Sequence, residues 1–226
     1  PINYSGYNFI SRALSGNGGG GGSLTVGDLI GTMSPNFQFD KNSEKFYKEN
    51  YPEFYDFVMD VLPKIVNDKN FMSILSDTSG FSIEELTKMF KSDTDFALMG
   101  YNKIGASVAD YPFGENPESY PINLVRVNID TLNWFKAANR DTKTLEGITN
   151  VVQMIGFIGH EINHWGVSAG TNSSFKAKNL GGDPGDYFER KLMNSRQRIG
   201  DPGVPSDSFN SYIKQNYNTL FKIFNK

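Results

Sequence analysis

The sequence contains no cysteine, only two histidines among 226 residues, and no excess of basic residues. Without cysteine the chain cannot form a disulfide scaffold, a thiolate zinc site, an iron–sulfur cluster or a cysteine nucleophile. The net charge of −3 disfavours a general nucleic-acid coat, which needs a basic surface. No apolar run approaches the roughly 18–20 residues that a membrane span requires. We therefore expect no nucleic-acid partner and no membrane span.

Glycine is concentrated near one end of the sequence. Residues 15–23 read SGNGGGGGS, and five consecutive glycines cannot hold one backbone conformation, so we interpret this segment as a linker. It separates an N-terminal stub, residues 1–14, from a region, residues 24–226, that is long enough to form one domain with its own core. Because the sequence begins with Pro1 rather than methionine, we expect it to be a piece of a longer protein.

The region 24–226 has mostly helical periodicity. Apolar residues recur at helical spacing from Glu53 to Asn67, with a break expected at Pro63, and Thr149–Trp165 gives the strongest helical pattern. Asn123–Asp130 alternates apolar and polar residues, which predicts a strand with one buried face and one wet face. The sequence therefore predicts an α+β domain that is mostly helical with a small sheet.

Both histidines of the chain lie in one motif of the form HExxH, His160-Glu161-Ile162-Asn163-His164. On a helix, residues four apart lie one turn apart on the same face, so the two imidazoles can bind one metal ion with Glu161 beside them. Such a motif arises by chance in only about one in a hundred chains of this length. We interpret His160 and His164 as zinc ligands and Glu161 as a catalytic base. The alternative, that both histidines are ordinary polar residues on a helix, makes their pairing a coincidence.

A catalytic zinc site needs a third protein ligand and an open position for water. The sequence has no further histidine and no cysteine, so the third ligand must be a carboxylate. The acidic residues after the motif are Asp183, Asp186, Glu189, Asp201 and Asp207. Asp183 is typical of a helix N-cap, and the last two lie beside chain breaks. We therefore expect Glu189 as the third ligand, with Asp186 as an alternative ligand or as a residue that orients a histidine; an upstream carboxylate also remains open.

These residues resemble known zinc peptidases. The HExxH motif followed by Glu189 resembles the gluzincin group of zinc metallopeptidases, and the segment Gly185–Glu189 is similar to the third-ligand helix of metallopeptidase toxin domains at the ends of large bacterial proteins. The stub sequence Pro1-Ile2-Asn3-Tyr4 is similar to the tail that closes RHS/YD-repeat shells. The resemblance implies a zincin-like fold, a zinc-dependent peptidase acting on peptide or protein substrates, an exported larger protein, and an inhibitor or immunity protein as partner.

The implied mechanism is hydrolysis by a zinc-activated water whose proton Glu161 accepts. A tyrosine or an arginine would then stabilise the oxyanion, and Tyr187 and Arg190 lie near the motif in sequence. The strand Asn123–Asp130 is either the edge on which an extended substrate pairs or an ordinary strand of the sheet.

Three other function classes fit parts of the sequence: a metal-dependent hydrolase of another substrate, a non-catalytic zinc-stabilised binding module, and a nucleic-acid-degrading toxin. A structural zinc site has no need of a base, so Glu161 favours chemistry over a binding module. The acidic pI of about 5.5 disfavours the nucleic-acid-degrading toxin.

Overall fold

Helices make up most of the computed structural model, which describes residues 36–38, 41–91, 95–101, 108–111, 124–169 and 182–225. The helices in this part of the chain are α1 (Lys41–Asn50), α2 (Pro52–Asp56), α3 (Lys69–Ser79), α4 (Ile83–Phe90), α5 (Ile129–Ala137), α6 (Leu145–Ser168), α7 (Pro184–Met193) and α8 (Asp207–Phe224). A π-helical turn, Phe57–Val61, and a 3-10 helix, Leu62–Asn67, connect α2 to α3. The predicted stub, 1–14, and linker, 15–23, lie outside the described residues.

In the part of the chain that the structure describes, the strands form one four-stranded sheet and one short hairpin. They are β1 (Asn36–Gln38), β2 (Asp95–Tyr101), β3 (Ala109–Asp110), β4 (Leu124–Asn128), β5 (Gly200–Asp201) and β6 (Val204–Pro205). In the larger sheet the order is β1-β2-β4-β3, with β1, β2 and β4 parallel and β3 antiparallel to β4. Strands β5 and β6 pair antiparallel with each other. The predicted α+β architecture, mostly helical with a small sheet, is confirmed.

Strand β4 lies inside the sheet because it pairs with β2 on one side and with β3 on the other. Of the two alternatives for Asn123–Asp130, the structure therefore supports the ordinary strand of the sheet and not the substrate-binding edge. In the described part of the sheet, β3 is the edge strand on that side. Its two residues gave no strand signal in the sequence.

The prediction that one face of β4 is exposed to solvent is also wrong, since all five residues of the strand are buried. Arg126 donates two hydrogen bonds to the carboxylate of Asp110 on β3, one of them from Nε to Oδ1 at 2.9 Å. Asn128 ends the strand and caps α5, with its Oδ1 accepting a hydrogen bond from the Asp130 N–H at 2.8 Å. Polar residues can alternate along a fully buried strand when partners satisfy them in this way.

Local chemistry sets most of the helix ends. Ser82 and Glu85 form the capping box that the sequence predicts at the start of α4. The regular helix ends at Asp56, before the break expected at Pro63; a π-helical turn follows, and Pro63 lies in the first turn of the 3-10 helix. The cap of α8 is Ser206, whose Oγ accepts a hydrogen bond from the Phe209 N–H, and Asp207 is the first helical residue.

Helix α6 runs through the centre of the core and is buried on nearly every side. Its apolar residues Ile155, Ile158 and Ile162 are fully buried, and the helix contacts α3, α7, α8, β3 and β4. None of the described helices combines the length and the apolar character that crossing a membrane requires. The burial of α6 fixes the position of the HExxH motif relative to the rest of the core.

Close packing of α3 against α6 depends on Gly166. A Cβ atom added there would lie 2.0 Å from the backbone oxygen of Ser79. Because the clash is with backbone atoms, we expect overpacking to cost about 2–3 kcal/mol, the upper part of its usual range, which the better helix propensity of alanine offsets by about 1 kcal/mol. We expect Gly166→Ala to lower Tm by about 2–8 °C in thermal unfolding. Ser73→Ala, at an exposed position on α3, is the control, and an unchanged Tm for Gly166→Ala would contradict the packing argument.

Candidate metal centre

The two histidines of the motif present their Nε2 atoms to each other on one face of α6. These atoms are 3.3 Å apart, and the ring centroids are 5.2 Å apart. His160 is buried, with 9% of its surface exposed, whereas His164 is half-buried. The spacing of four residues therefore produces the convergent pair of imidazoles that the sequence predicts.

Asp183 completes the group of atoms around the two Nε2 positions. It precedes α7, and its Oδ1 and Oδ2 each lie 3.1 Å from an imidazole, Oδ1 from His160 Nε2 and Oδ2 from His164 Nε2. The same Oδ1 accepts a hydrogen bond from the Asp186 N–H at 2.9 Å and so caps the helix. The sequence analysis assigned only the capping role to Asp183.

The distances among these three side chains fit a tetrahedral metal ion. When bonds to zinc are about 2.0–2.1 Å long, neighbouring ligand atoms of a tetrahedron are about 3.3–3.4 Å apart. The Nε2–Nε2 separation of 3.3 Å matches that value, and Asp183 approaches each Nε2 to 3.1 Å, with Oδ1 for His160 and Oδ2 for His164. Among the described residues, these three also form one of the two groups whose donor atoms are close enough to share an ion.

Glu189 lies on the other side of the His160 ring. Its Oε1 is 2.8 Å from His160 Nδ1, and its Oε2 accepts a hydrogen bond from the Ile199 N–H at 2.8 Å. The carboxylate is almost completely buried, with 2% of the residue exposed. The structure thus brings Glu189 to the site as predicted, but against Nδ1 instead of beside the paired Nε2 atoms.

Asp186, the alternative ligand of the sequence analysis, lies between two arginines. Its Oδ1 is 2.8 Å from Arg198 Nε, and its Oδ2 is 3.4 Å from Arg190 Nη2. It belongs to the second possible metal-binding group, together with His160 and Glu189. That group surrounds the same imidazole as the first, so both groups describe the surroundings of His160.

A glycine allows α7 to lie directly on the metal-binding face of α6. A Cβ atom at Gly185 would lie 2.2 Å from two carbon atoms of the His160 ring. Phe188, one turn further along α7, packs in the same way against Gly159 of α6. These contacts place the first turn of α7 at the histidines, which is why Asp183 rather than a residue of the second turn reaches the Nε2 atoms.

The carboxylates create a field that favours positive charge at His160. Burial alone would lower the pKa of this imidazole, but the hydrogen bonds with Asp183 and Glu189 and the nearby Glu161 outweigh burial and raise the pKa to about 10. Burial would raise the pKa of Asp183, but its bonds to both histidines hold that pKa far below its usual range. A site that stabilises a proton so strongly also suits a divalent cation.

Glu161 lies beside the histidines and faces the same cleft. The residue is 6% exposed, and within the described part of the chain no group donates a hydrogen bond to its carboxylate. Burial raises the pKa of Glu161 to about 6, against the opposing effect of His160 and His164. A carboxylate that lines a cleft beside two histidines, and whose pKa burial raises, marks a candidate functional site.

The metal-binding face opens into a cleft of about 890 Å³. Its lining comes from β3 and its flanks, from α6, from the start of α7 and from the segment around β5. Among the described residues, the lining includes one tyrosine, Tyr111, and one arginine, Arg198, whereas Tyr187 and Arg190, the oxyanion candidates that lie near the motif in sequence, are not part of it. The ring of Tyr187 lies under Lys191, 5.4 Å from its Nζ.

A protein-family model described as metallopeptidase toxin 3 matches residues 47–194. The chain belongs to this family. The matched range ends at the C-cap of α7, so it includes both histidines, Glu161, Asp183 and Glu189. No curated protein and no solved structure is significantly similar to the chain.

Membership of the metallopeptidase toxin family confirms the coarser predictions made from the sequence. The chain is a metal-dependent peptidase domain of a toxin, and its substrates are proteins or peptides. The groups of histidine and carboxylate donors are consistent with the metal that the family name implies.

Proposed function

We propose that this metallopeptidase toxin domain is a zinc peptidase of zincin-like architecture, with the HExxH helix α6 at the floor of its cleft. Glu161 lies buried beside the convergent histidines, lines the cleft, and accepts no hydrogen bond from a described residue; this arrangement carries the proposal. A structural zinc site would not need a carboxylate placed beside its ligands in this way. A hydrolase acting on something other than peptide is the second candidate, and the family match favours peptide.

We propose His160, His164 and Asp183 as the zinc ligands. Two neutral imidazoles and one carboxylate, with a fourth position left for water, are a typical ligand set for catalytic zinc. Glu189 then accepts a hydrogen bond from the His160 Nδ1–H, which fixes the ring and leaves Nε2 free to bind. The alternative derived from the sequence, with Glu189 as the third ligand, requires His160 to present Nδ1 to the metal.

The chain's own residues carry the proton chemistry. Zinc supplies a Lewis acid that polarises the scissile carbonyl and makes a bound water nucleophilic near neutral pH. A carboxylate oxygen of Glu161 accepts the proton from the attacking water and passes it to the leaving amine nitrogen. Tyr111, whose pKa is raised by burial, keeps its hydroxyl proton and is the candidate donor to the oxyanion.

Substrate binding follows from the position of β3. The strand lines the cleft, and in the described part of the sheet its outer edge has no neighbouring strand. An extended peptide could add to this edge through backbone hydrogen bonds. We further propose that residues 24–226 form the toxin domain of an exported bacterial protein, with 1–14 as a remnant of that protein, 15–23 as a linker, and an immunity protein as inhibitor.

The test of the zinc site is metal content. We expect one zinc per chain in purified protein by plasma mass spectrometry, and loss of stoichiometric zinc in His160→Ala and in His164→Ala, because each removes one of three ligands. Near-stoichiometric zinc in the double alanine variant would refute the proposal.

A further inference from the structure

The segment that follows α7 forms a wall of the cleft and is held firmly to the metal centre. Ile199 is fully buried, and its N–H donates to Glu189 Oε2, the carboxylate that also contacts His160. The carbonyl of Ile199 accepts a hydrogen bond from the Ser206 N–H at 2.9 Å, which closes the base of the hairpin β5–β6. The start of this hairpin therefore has a fixed position relative to His160.

A buried glutamine ties the other part of the hairpin to the same helix as the histidines. Gln153 of α6 is fully buried, and its Nε2 donates to the Asp201 carbonyl at 2.8 Å. Its Oε1 accepts a hydrogen bond from the Gly203 N–H at 3.2 Å. Gly200 and Gly203 adopt positive φ values of 104° and 76°, which favour glycine and allow the tight turn. The backbone of Asp201 is thus positioned by a side chain two turns before His160.

The carboxylate of Asp201 differs from the other carboxylates of the cleft. Asp110 pairs with Arg126, and Asp183 and Glu189 contact the histidines. Glu161 lies within electrostatic reach of the same histidines. Asp201 lines the cleft, is exposed, and its carboxylate has no ionic or hydrogen-bonding partner among the residues that the structure describes.

Arg198 also lies on this wall of the cleft, and its positive charge could favour substrates with an acidic residue. Its Nε is 2.8 Å from Asp186 Oδ1 and 3.8 Å from Glu189 Oε2, so neighbouring carboxylates already compensate its charge. Asp201 is therefore the stronger site for a charged group that enters the cleft.

We propose that Asp201 binds a lysine or arginine side chain of the substrate and makes the peptidase selective for cleavage sites with a basic residue at one subsite. The proposal rests on the proposed peptidase function and adds the class of substrate. Asp201 follows the range that the family model matches, so the family assignment gives this residue no role. A carboxylate on a rigid turn, facing solvent within the cleft, loses little entropy when it pairs with an incoming cation.

The experiment uses the zinc-loaded full chain and a synthetic library of ten-residue peptides randomised over all residues except cysteine. Cleavage sites are read by mass spectrometry. We expect lysine and arginine to be enriched about fivefold at one subsite, which is the upper end of what an exposed ion pair contributes. In Asp201→Asn the enrichment of lysine and arginine should fall to about one. In Asp201→Lys, glutamate and aspartate should be enriched at the same subsite instead.

Asp207→Asn is the matched control, because it removes the same charge from an exposed aspartate outside the cleft. Its cleavage preference should equal that of the wild type. The proposed peptidase function itself would be refuted if the wild type cleaves no peptide, or if Glu161→Gln cleaves the same peptides as the wild type. Cleavage without a basic preference, or a preference that survives in Asp201→Asn and Asp201→Lys, would overturn the role of Asp201 and leave the peptidase function standing.

Discussion

Glu161→Gln should retain one zinc per chain while peptide hydrolysis falls by at least about 10²–10⁴-fold. The amide has nearly the shape of the carboxylate but cannot accept the proton of the attacking water. Because Glu161 makes no hydrogen bond in the described structure, its replacement removes no structural contact. The measurement is kcat/KM on a peptide that the wild type cleaves, with zinc content determined on the same preparation.

Glu146→Gln is the matched control for this variant. Glu146 lies in the first turn of the same helix, is exposed, and accepts a hydrogen bond from Asn139 at 3.2 Å. The control should have wild-type activity and zinc content. Loss of zinc in Glu161→Gln would show that Glu161 binds the metal, and full activity would show that it is not the base.

The histidine pair could be predicted from the sequence because it depends only on local geometry. Residues four apart on a helix share a face whatever surrounds them, and the structure places the Nε2 atoms of His160 and His164 3.3 Å apart. The third ligand depends on where a second helix crosses the first. That crossing is set by Gly185 and Gly159, whose missing side chains let α7 approach α6. A contact of this kind leaves no periodic pattern in the sequence.

Two interpretations of the sequence missed a contact with a residue that is distant along the chain. Asp183 was interpreted as an N-cap, yet the same carboxylate both caps α7 and faces the two imidazoles. The polar residues of Asn123–Asp130 were expected to face solvent because they alternate with apolar ones, yet Arg126 is buried and pairs with Asp110. In both cases the second role comes from a partner distant in sequence, which composition and spacing do not reveal.

The assignment of the third ligand predicts unequal effects of two matched substitutions. Asp183→Asn keeps a good helix cap, because asparagine caps helices about as well as aspartate, but it replaces an anionic ligand by a neutral amide. We expect it to weaken zinc binding by more than the roughly 10–100-fold that is typical when an orienting residue is lost. Zinc affinity would be measured by competition with a chromophoric chelator, and Tm would show whether the fold survives.

Glu189→Gln supplies the comparison. Its remaining oxygen can still accept a hydrogen bond from the His160 Nδ1–H, although the new amide NH₂ then faces the Ile199 N–H. If Glu189 only orients His160, Glu189→Gln should lower zinc affinity by at most about 10–100-fold. This decrease should be smaller than the one caused by Asp183→Asn. If Glu189 is instead the third ligand, the order of the two effects reverses. The ranking of the two variants thus decides which carboxylate binds the metal, because each substitution removes one negative charge and keeps the side-chain shape.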